Sequence, residues 1–309
     1  MIAAAAARAY ANLAPAASLA VSNSVPPDHR AGRHTRQPSG RLVFIPAPLP
    51  FAIRYDDELR SLIATADQAL AQLDAAARAA TPAARDRLIR LYAEWVAIGP
   101  DAAEITINYT RAMRYGFKAI QRGPISIALL AQLNWLVLRH PGRPPLSGTP
   151  GAIRPGWMSI WPLDSHGNPD YSATPLYNAP PVEEIPAALD NLEAFIQAPA
   201  DDRIPAVVRA ALIFIQFVSI HPFTDGHSRT ARLLVPLYLC RAGVLSWPGL
   251  DLGIYLKLDL KTGGYRKHRA AVWTRGDIEQ WIAYFLRGVI AAADGTRLTL
   301  EAAGLEGSP

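Results

Sequence analysis

Apolar residues recur at helical spacing along most of this chain. Leu59, Leu62, Ile63, Ala66, Leu70 and Leu73 keep the i, i+3, i+4 rhythm of an amphipathic helix that begins at Asp56. A second helix is predicted from about Ala83, through Leu88, Leu91, Trp95 and Val96, to the breaker Gly99-Pro100. Helical patterns follow over 101–120 and 126–138, with Ser126 placed to cap the latter. Further helices are predicted over 182–197, 201–219, 228–240, 262–272 and 277–292, and Gly243 is a suitable stop for the helix over 228–240. The stretch 201–219 is apolar on every side, which marks it as the central buried helix. From 293 to Pro309 the pattern is weak.

Two segments break the helical texture. Phe44-Ile45-Pro46-Ala47-Pro48-Leu49-Pro50 cannot form a helix or a central strand, because each proline lacks a donor and fixes φ; it reads as an extended entry strap. Between His140 and Pro181 proline and glycine are dense. Short β-type runs at Trp157–Trp161 and Ala173–Tyr177 flank the turn-like Asp164-Ser165-His166-Gly167-Asn168 and predict a small hairpin. With no alternation of strand and helix, the fold class is mainly α with one β-hairpin.

Composition narrows the class. The 309 residues are 50% hydrophobic and 18% charged, which excludes a disordered chain and allows one large or two ordinary domains. The single cysteine, Cys240, excludes a disulfide framework and a multi-cysteine metal site, and fits a reducing cytoplasm. No apolar run reaches the ~18 residues of a membrane span, so no membrane partner is expected. The net charge is +5, and residues 1–41 carry +4 of it, with Arg8, Arg30, Arg33, Arg36 and Arg41 against Asp28. Five dispersed arginines without interleaved aromatics are a poor nucleic-acid footprint, so 1–41 reads as a basic disordered tail and no nucleic-acid partner is expected. The alanine-rich start places Arg8 after the alanines, the wrong order for a secretory signal, and an organellar presequence would want more arginines, so cytoplasm is the default expectation.

The chemistry concentrates in His221-Pro222-Phe223-Thr224-Asp225-Gly226-His227-Ser228-Arg229-Thr230-Ala231-Arg232, between the most apolar helix and the next one. His221 is a candidate general base, with Pro222 and Phe223 pinning its backbone. Asp225 suits a hard cation such as Mg²⁺. Gly226, His227 and Ser228 offer backbone N–H groups at a helix start, where unpaired donors and the helix dipole favour phosphate. Arg229 and Arg232, three apart, share the first turns and can grip further phosphate oxygens. This set describes a phosphate-transfer site. Two other readings stay open on the residues alone: a buried structural loop, and a metal site made of His221, Asp225 and His227.

The loop resembles the signature of the Fic family, His-Pro-Phe-x-Asp/Glu-Gly-Asn-Gly-Arg-x-x-Arg. His221, Pro222, Phe223, Asp225, Gly226, Arg229 and Arg232 match, while His227 replaces Asn and Ser228 replaces Gly. Pro46-Ala47-Pro48-Leu49-Pro50, Asn108-Tyr109-Thr110-Arg111-Ala112-Met113, Gly123-Pro124-Ile125-Ser126, Pro150-Gly151-Ala152-Ile153-Arg154, Pro180-Pro181 and Leu192-Glu193-Ala194-Phe195-Ile196 extend the likeness over about 42–290. They resemble the subgroup with an N-terminal helical extension.

The resemblance implies a Fic-type helical bundle with a β-hairpin flap: a basic tail at 1–41, the helical extension at 42–125, the catalytic core at 126–272 and a C-terminal helix and tail at 273–309. It implies transfer of AMP from ATP to a Ser, Thr or Tyr hydroxyl of a target protein, with release of pyrophosphate. His221 would deprotonate the hydroxyl and Asp225 would hold Mg²⁺, or Mn²⁺ in its place. Gly226, His227 and Ser228 would form the anion hole, Arg229 and Arg232 the phosphate clamp, and Tyr265 the adenine side. Met158, Ser159, Ile160, Trp161, Thr174, Pro175, Leu176 and Tyr177 would form the flap that aligns the target by β-augmentation. The alternatives are a catalytically impaired module that binds nucleotide or protein, and a transferase with another phosphate-containing donor. No Ser/Thr-x-x-x-Glu-Gly/Asn match follows Glu94; Glu104, with Pro100 four residues before it and Ile105 after, fails both flanking tests and reads as a surface carboxylate.

Overall fold

A computed structural model describes residues 27–97, 101–139, 149–161, 170–173, 175–253, 255–256 and 263–305. In chain order the elements are strands β1 (Gly32–Arg36) and β2 (Leu42–Pro46), then helices α1 (Asp57–Ala79), α2 (Pro82–Val96), α3 (Ala102–Ile120) and α4 (Ile127–Leu138). Strands β3 (Ser159–Ile160) and β4 (Tyr177–Asn178) come next. One 3-10 turn, Val182–Glu184, then leads into α5 (Ile185–Gln197), α6 (Ala206–Ile220), α7 (His227–Arg241), α8 (Gly264–Arg275) and α9 (Ile278–Leu305).

Local chemistry sets the helix starts. Asp56 accepts from the Leu59 N–H at 2.8 Å, Thr81 from Ala84 at 3.1 Å and Ser126 from Leu129 at 3.2 Å, so each satisfies a donor that the first turn leaves open. The helix expected from Asp201 begins instead at Ala206, because Pro205 cannot lie inside it and serves as its cap. The last helix outruns its expected end at 292. Val289, Ala293 and Leu300 carry the buried stripe onward with Thr296, and small residues along that face obscured the period in the sequence.

The tail expectation for 1–41 is corrected where the chain is described. β1 pairs antiparallel with β2 from Gly32↔Pro46 to Arg36↔Leu42, and Ala31 and Phe44 are buried. The arginines counted as solvated are engaged: Arg30 forks onto the Glu279 carboxylate, Arg33 lies 3.6 Å from Glu184, and the Arg41 guanidinium sits 3.1 Å above the Trp157 ring. Disorder arguments from composition miss this, because they ignore what a segment can pack against. Residues 1–26 lie outside the described residues.

α6 is the axis of the molecule. Every residue from Val207 to Ile220 is buried, between α5, α7 and α9 and beside α1 and β2. Each such Ile, Leu or Phe removed from water contributes about 1.5–3 kcal/mol. Trp281 of α9 stacks on Phe214 at 5.6 Å and donates from its indole to the Ala211 carbonyl at 2.9 Å, fixing α9 on that axis. α9 also lies along α1, so the last helix packs on the first and one hydrophobic core runs through the helical extension and the bundle. The end of α6 is thereby held rigidly, and the polar loop begins there. Among the described residues, no helix is long and apolar enough to cross a membrane.

Candidate active site

α6 stops at His221, whose φ of 51° and ψ of 55° put a non-glycine residue in the left-handed region. Such a conformation costs about 1–3 kcal/mol and persists only where surroundings enforce it. Arg154 is the enforcer. It is 1% exposed and donates from Nε to the His221 carbonyl at 2.8 Å and from its other nitrogens to the carbonyls of Gly156 and Pro180. Its backbone N–H adds a bond to the Pro222 carbonyl at 2.9 Å. One guanidinium thus ties the base-bearing turn to both ends of the hairpin segment.

His221 Nδ1 lies 3.3 Å from the Val218 carbonyl and the ring faces the cleft. Burial, with the charges of Arg269 and Arg154 nearby, pushes its pKa down to about 3 from the usual 6.5, so the imidazole is neutral at physiological pH. A neutral imidazole is the form a general base requires. His227 is 5% exposed and its Nε2 accepts the Phe223 backbone N–H at 3.0 Å. With Nε2 an acceptor and burial holding the pKa well below 6.5, its proton resides on Nδ1. The two rings are stacked.

α7 begins at Gly226, whose φ of 78° only glycine adopts without strain; a Cβ there would also meet Asn134 Nδ2 at 2.9 Å. No side chain caps this helix start, which lines the cleft with Gly226, His227, Ser228 and Arg229, a turn suited to an anion nest; the Gly226 N–H itself donates to Asp225 Oδ1 at 2.5 Å. Asn134, fully buried on α4, donates to the Asp225 carbonyl at 2.8 Å and accepts from Gly151 at 2.9 Å, pinning the nest from behind. Ser228 is exposed at the cleft. Arg229 reaches Asp225 Oδ2 at 3.3 Å, and Arg232 donates to the Ser228 carbonyl at 3.1 Å.

The cleft has a volume of about 630 Å³. It brings together His221, Asp225, Gly226, His227, Ser228, Arg229, Arg232 and Tyr265 with Met158, Ser159, Ile160, Trp161 and Leu176 of the hairpin. β3 and β4 pair antiparallel, Ser159↔Asn178 and Ile160↔Tyr177. One flap expectation needs correction. Tyr177 is 3% exposed, its ring stacked on Trp273 at 4.0 Å and its hydroxyl donating to the Ser219 carbonyl, so it braces the site from inside and does not face a target. Pro175 lies outside the cleft lining. Thr174 falls outside the described residues.

The three-ligand metal arrangement is also overturned. Among the described residues no group of three or more His, Cys, Asp or Glu side chains can hold a metal ion. The face-to-face stack of His221 and His227, with Nε2 of the latter occupied, explains why. Asp225 alone fits a hard cation: its side chain is 65% exposed into the cleft, and one carboxylate completed by substrate phosphates is how Mg²⁺ is usually held.

Sequence reasoning passed over Asn134, Arg154, Arg266, Arg269 and Trp273. Only Arg269 and Trp273 had a usable signal, since Tyr265, Arg269 and Trp273 recur every fourth residue and so share one face of a helix.

Residues 160–239 match the model of the Fic/DOC family. Forty residues are 50% identical to protein adenylyltransferase fic-1 of Caenorhabditis elegans, covering 13% of this chain and 8% of that protein. Over 68 residues the identity to protein adenylyltransferase Fic of Nematostella vectensis is 41%, covering 20% of this chain and 16% of that one. The matched region thus spans less than a fifth of those relatives' length. The fold is similar to that of a Fic family protein from Desulfovibrio desulfuricans G20, with a TM-score of 0.60 and 17% identity over 83% of this chain and 77% of the other. Fic-1 from C. elegans gives a TM-score of 0.51 and 18% identity, over 81% of this chain and 74% of its own.

Proposed function

We propose that this chain, a Fic family protein by its matched domain and its fold, is a protein adenylyltransferase that moves AMP from ATP to a Ser, Thr or Tyr hydroxyl of a target protein. The observation that carries this reading is the juxtaposition of a neutral His221 with the uncapped start of α7 in one cleft. His221 takes the hydroxyl proton as the oxygen bonds to the α-phosphorus, and the bond to the leaving pyrophosphate breaks. The first-turn N–H groups, Arg229 and Arg232 bind the phosphates and stabilise the charge that builds on them. Asp225 would hold Mg²⁺ or Mn²⁺, which neutralises phosphate charge when bound. The hairpin would position the target's main chain beside His221, with Met158, Ser159, Ile160, Trp161 and Leu176 toward the cleft.

The names of the relatives, matched over a small part of their length, support adenylyl transfer as an activity of this family. A second reading, a module that binds nucleotide without transfer, is favoured by one observation: the His227 ring covers a face of His221.

Intact-mass spectrometry after incubation with ATP and Mg²⁺ separates them. Added AMP on wild type but not on the His221→Ala variant is the expected result, with ATP binding retained in both. Equal modification of both would overturn the role of His221. No modification of either, with ATP bound tightly, would favour the second reading.

A further inference from the structure

The cleft holds a second arginine pair that the loop chemistry leaves unused. Arg266 and Arg269 stand three apart on α8, the same spacing as Arg229 and Arg232 on α7, and both line the cleft. Arg269 is only 9% exposed. Its guanidinium lies 4.8 Å from the centres of both the Tyr265 and the Trp273 rings, and its Nε has no hydrogen-bond partner. Among the described residues neither arginine has a carboxylate within ion-pair distance. The aromatic faces orient the guanidinium without neutralising it.

The position makes this charge more costly still. Arg266 falls in the first turn of α8 and Arg269 in the second, where the helix dipole favours anions, and that first turn carries no acidic residue. Arg266 is held below the usual arginine range by burial and then by the charge of Arg269. A buried, unpaired cation is normally either neutralised by a partner or poised for one.

We propose that Arg266 and Arg269 form a second anion subsite of this cleft, which takes a phosphate group of the small-molecule donor separate from the phosphates held at the start of α7. A small molecule is favoured over an acidic side chain of a protein because Arg269 lies in the cleft wall, nine-tenths buried, and not on its rim. The assignment of the phosphate to a donor rests on the transferase reading; the subsite itself does not.

Inorganic phosphate titrated by calorimetry at constant ionic strength tests the subsite. The full chain is compared as wild type, as Arg229→Ala/Arg232→Ala, and as that double variant with Arg269→Met added. The double variant is expected to retain one phosphate site, and Arg269→Met to weaken it at least ~10-fold, the loss of one charge-assisted contact. No phosphate site in a folded double variant, or an unchanged site after Arg269→Met, would overturn the proposal. Arg266→Met, which leaves the aromatic sandwich intact, repeats the test if thermal melting shows Arg269→Met to be unfolded.

Adenosine 3′,5′-bisphosphate against AMP then tests the source of the phosphate. Wild type is expected to prefer the bisphosphate by ~10-fold, and Arg269→Met to lose that preference. Equal affinities, with the phosphate result intact, would overturn the donor assignment in favour of free phosphate. Failure of AMP, ADP and ATP all to bind, with the phosphate site present, would instead sink the adenylyl-transfer reading and leave the subsite standing.

Discussion

The imidazole rings of His221 and His227 lie face to face, with centroids 3.5 Å apart and planes 24° from parallel. The stack links the end of α6 to the start of α7 through two side chains. It also ties the loop back on itself, since His227 accepts the Phe223 N–H. His227→Ala removes that acceptor from a buried donor, and urea denaturation is expected to show a loss of about 1–3 kcal/mol. A variant as stable as wild type would mean that Phe223 finds another acceptor and that the stack is not structural.

The protonation of this pair sets an acid limit. Both imidazoles are held below 6.5 in the folded protein, His221 at about 3. The unfolded chain therefore binds more protons between these values. Their contribution to stability is complete above about pH 6.5 and falls as the pH drops toward each group's folded value, about 3 for His221, by up to about 1.4 kcal/mol per pH unit for each group. The His221 and His227 ring proton resonances are expected to stay flat from pH 5 to 8. A midpoint near 6.5 at either ring would refute the neutral-base assignment.

Arg154 is expected to be the most sensitive position outside the signature loop. Arg154→Met leaves the carbonyls of His221, Gly156 and Pro180 without their shared donor. Thermal and urea unfolding should show a loss of about 3 kcal/mol or more, as for other buried charged donors removed from a network. Any adenylyl transfer should fall even in the folded fraction, because the left-handed turn at His221 loses its clamp. Retained transfer with reduced stability would make Arg154 a fold residue only.

Gly226→Ala tests the anion nest. The new Cβ meets Asn134 Nδ2 at 2.9 Å and the backbone is held at φ 78°. We expect a loss of about 1–3 kcal/mol and weaker binding of ADP by calorimetry. Unchanged ADP affinity in the folded variant would show that the start of α7 does not hold the phosphates.

The helices were legible in the sequence because they bury stripes of Leu, Ile, Val or Phe, and three of them start at a residue that caps them, Asp56, Thr81 and Ser126. The signature loop was legible as well, since its base, carboxylate, glycine and arginines lie within a dozen residues. Tertiary structure alone decided what stands around them. Arg154 and Asn134 reach the loop from 67 and 91 residues away in sequence, and a lone buried polar residue has no periodicity to announce it. Tyr177 looked like a surface aromatic until Trp273 was brought against it. Arg30 of the basic N-terminal segment became structural once α9 supplied Glu279. Local pattern records which face of an element is apolar; which distant groups meet across that face is fixed only when the core closes.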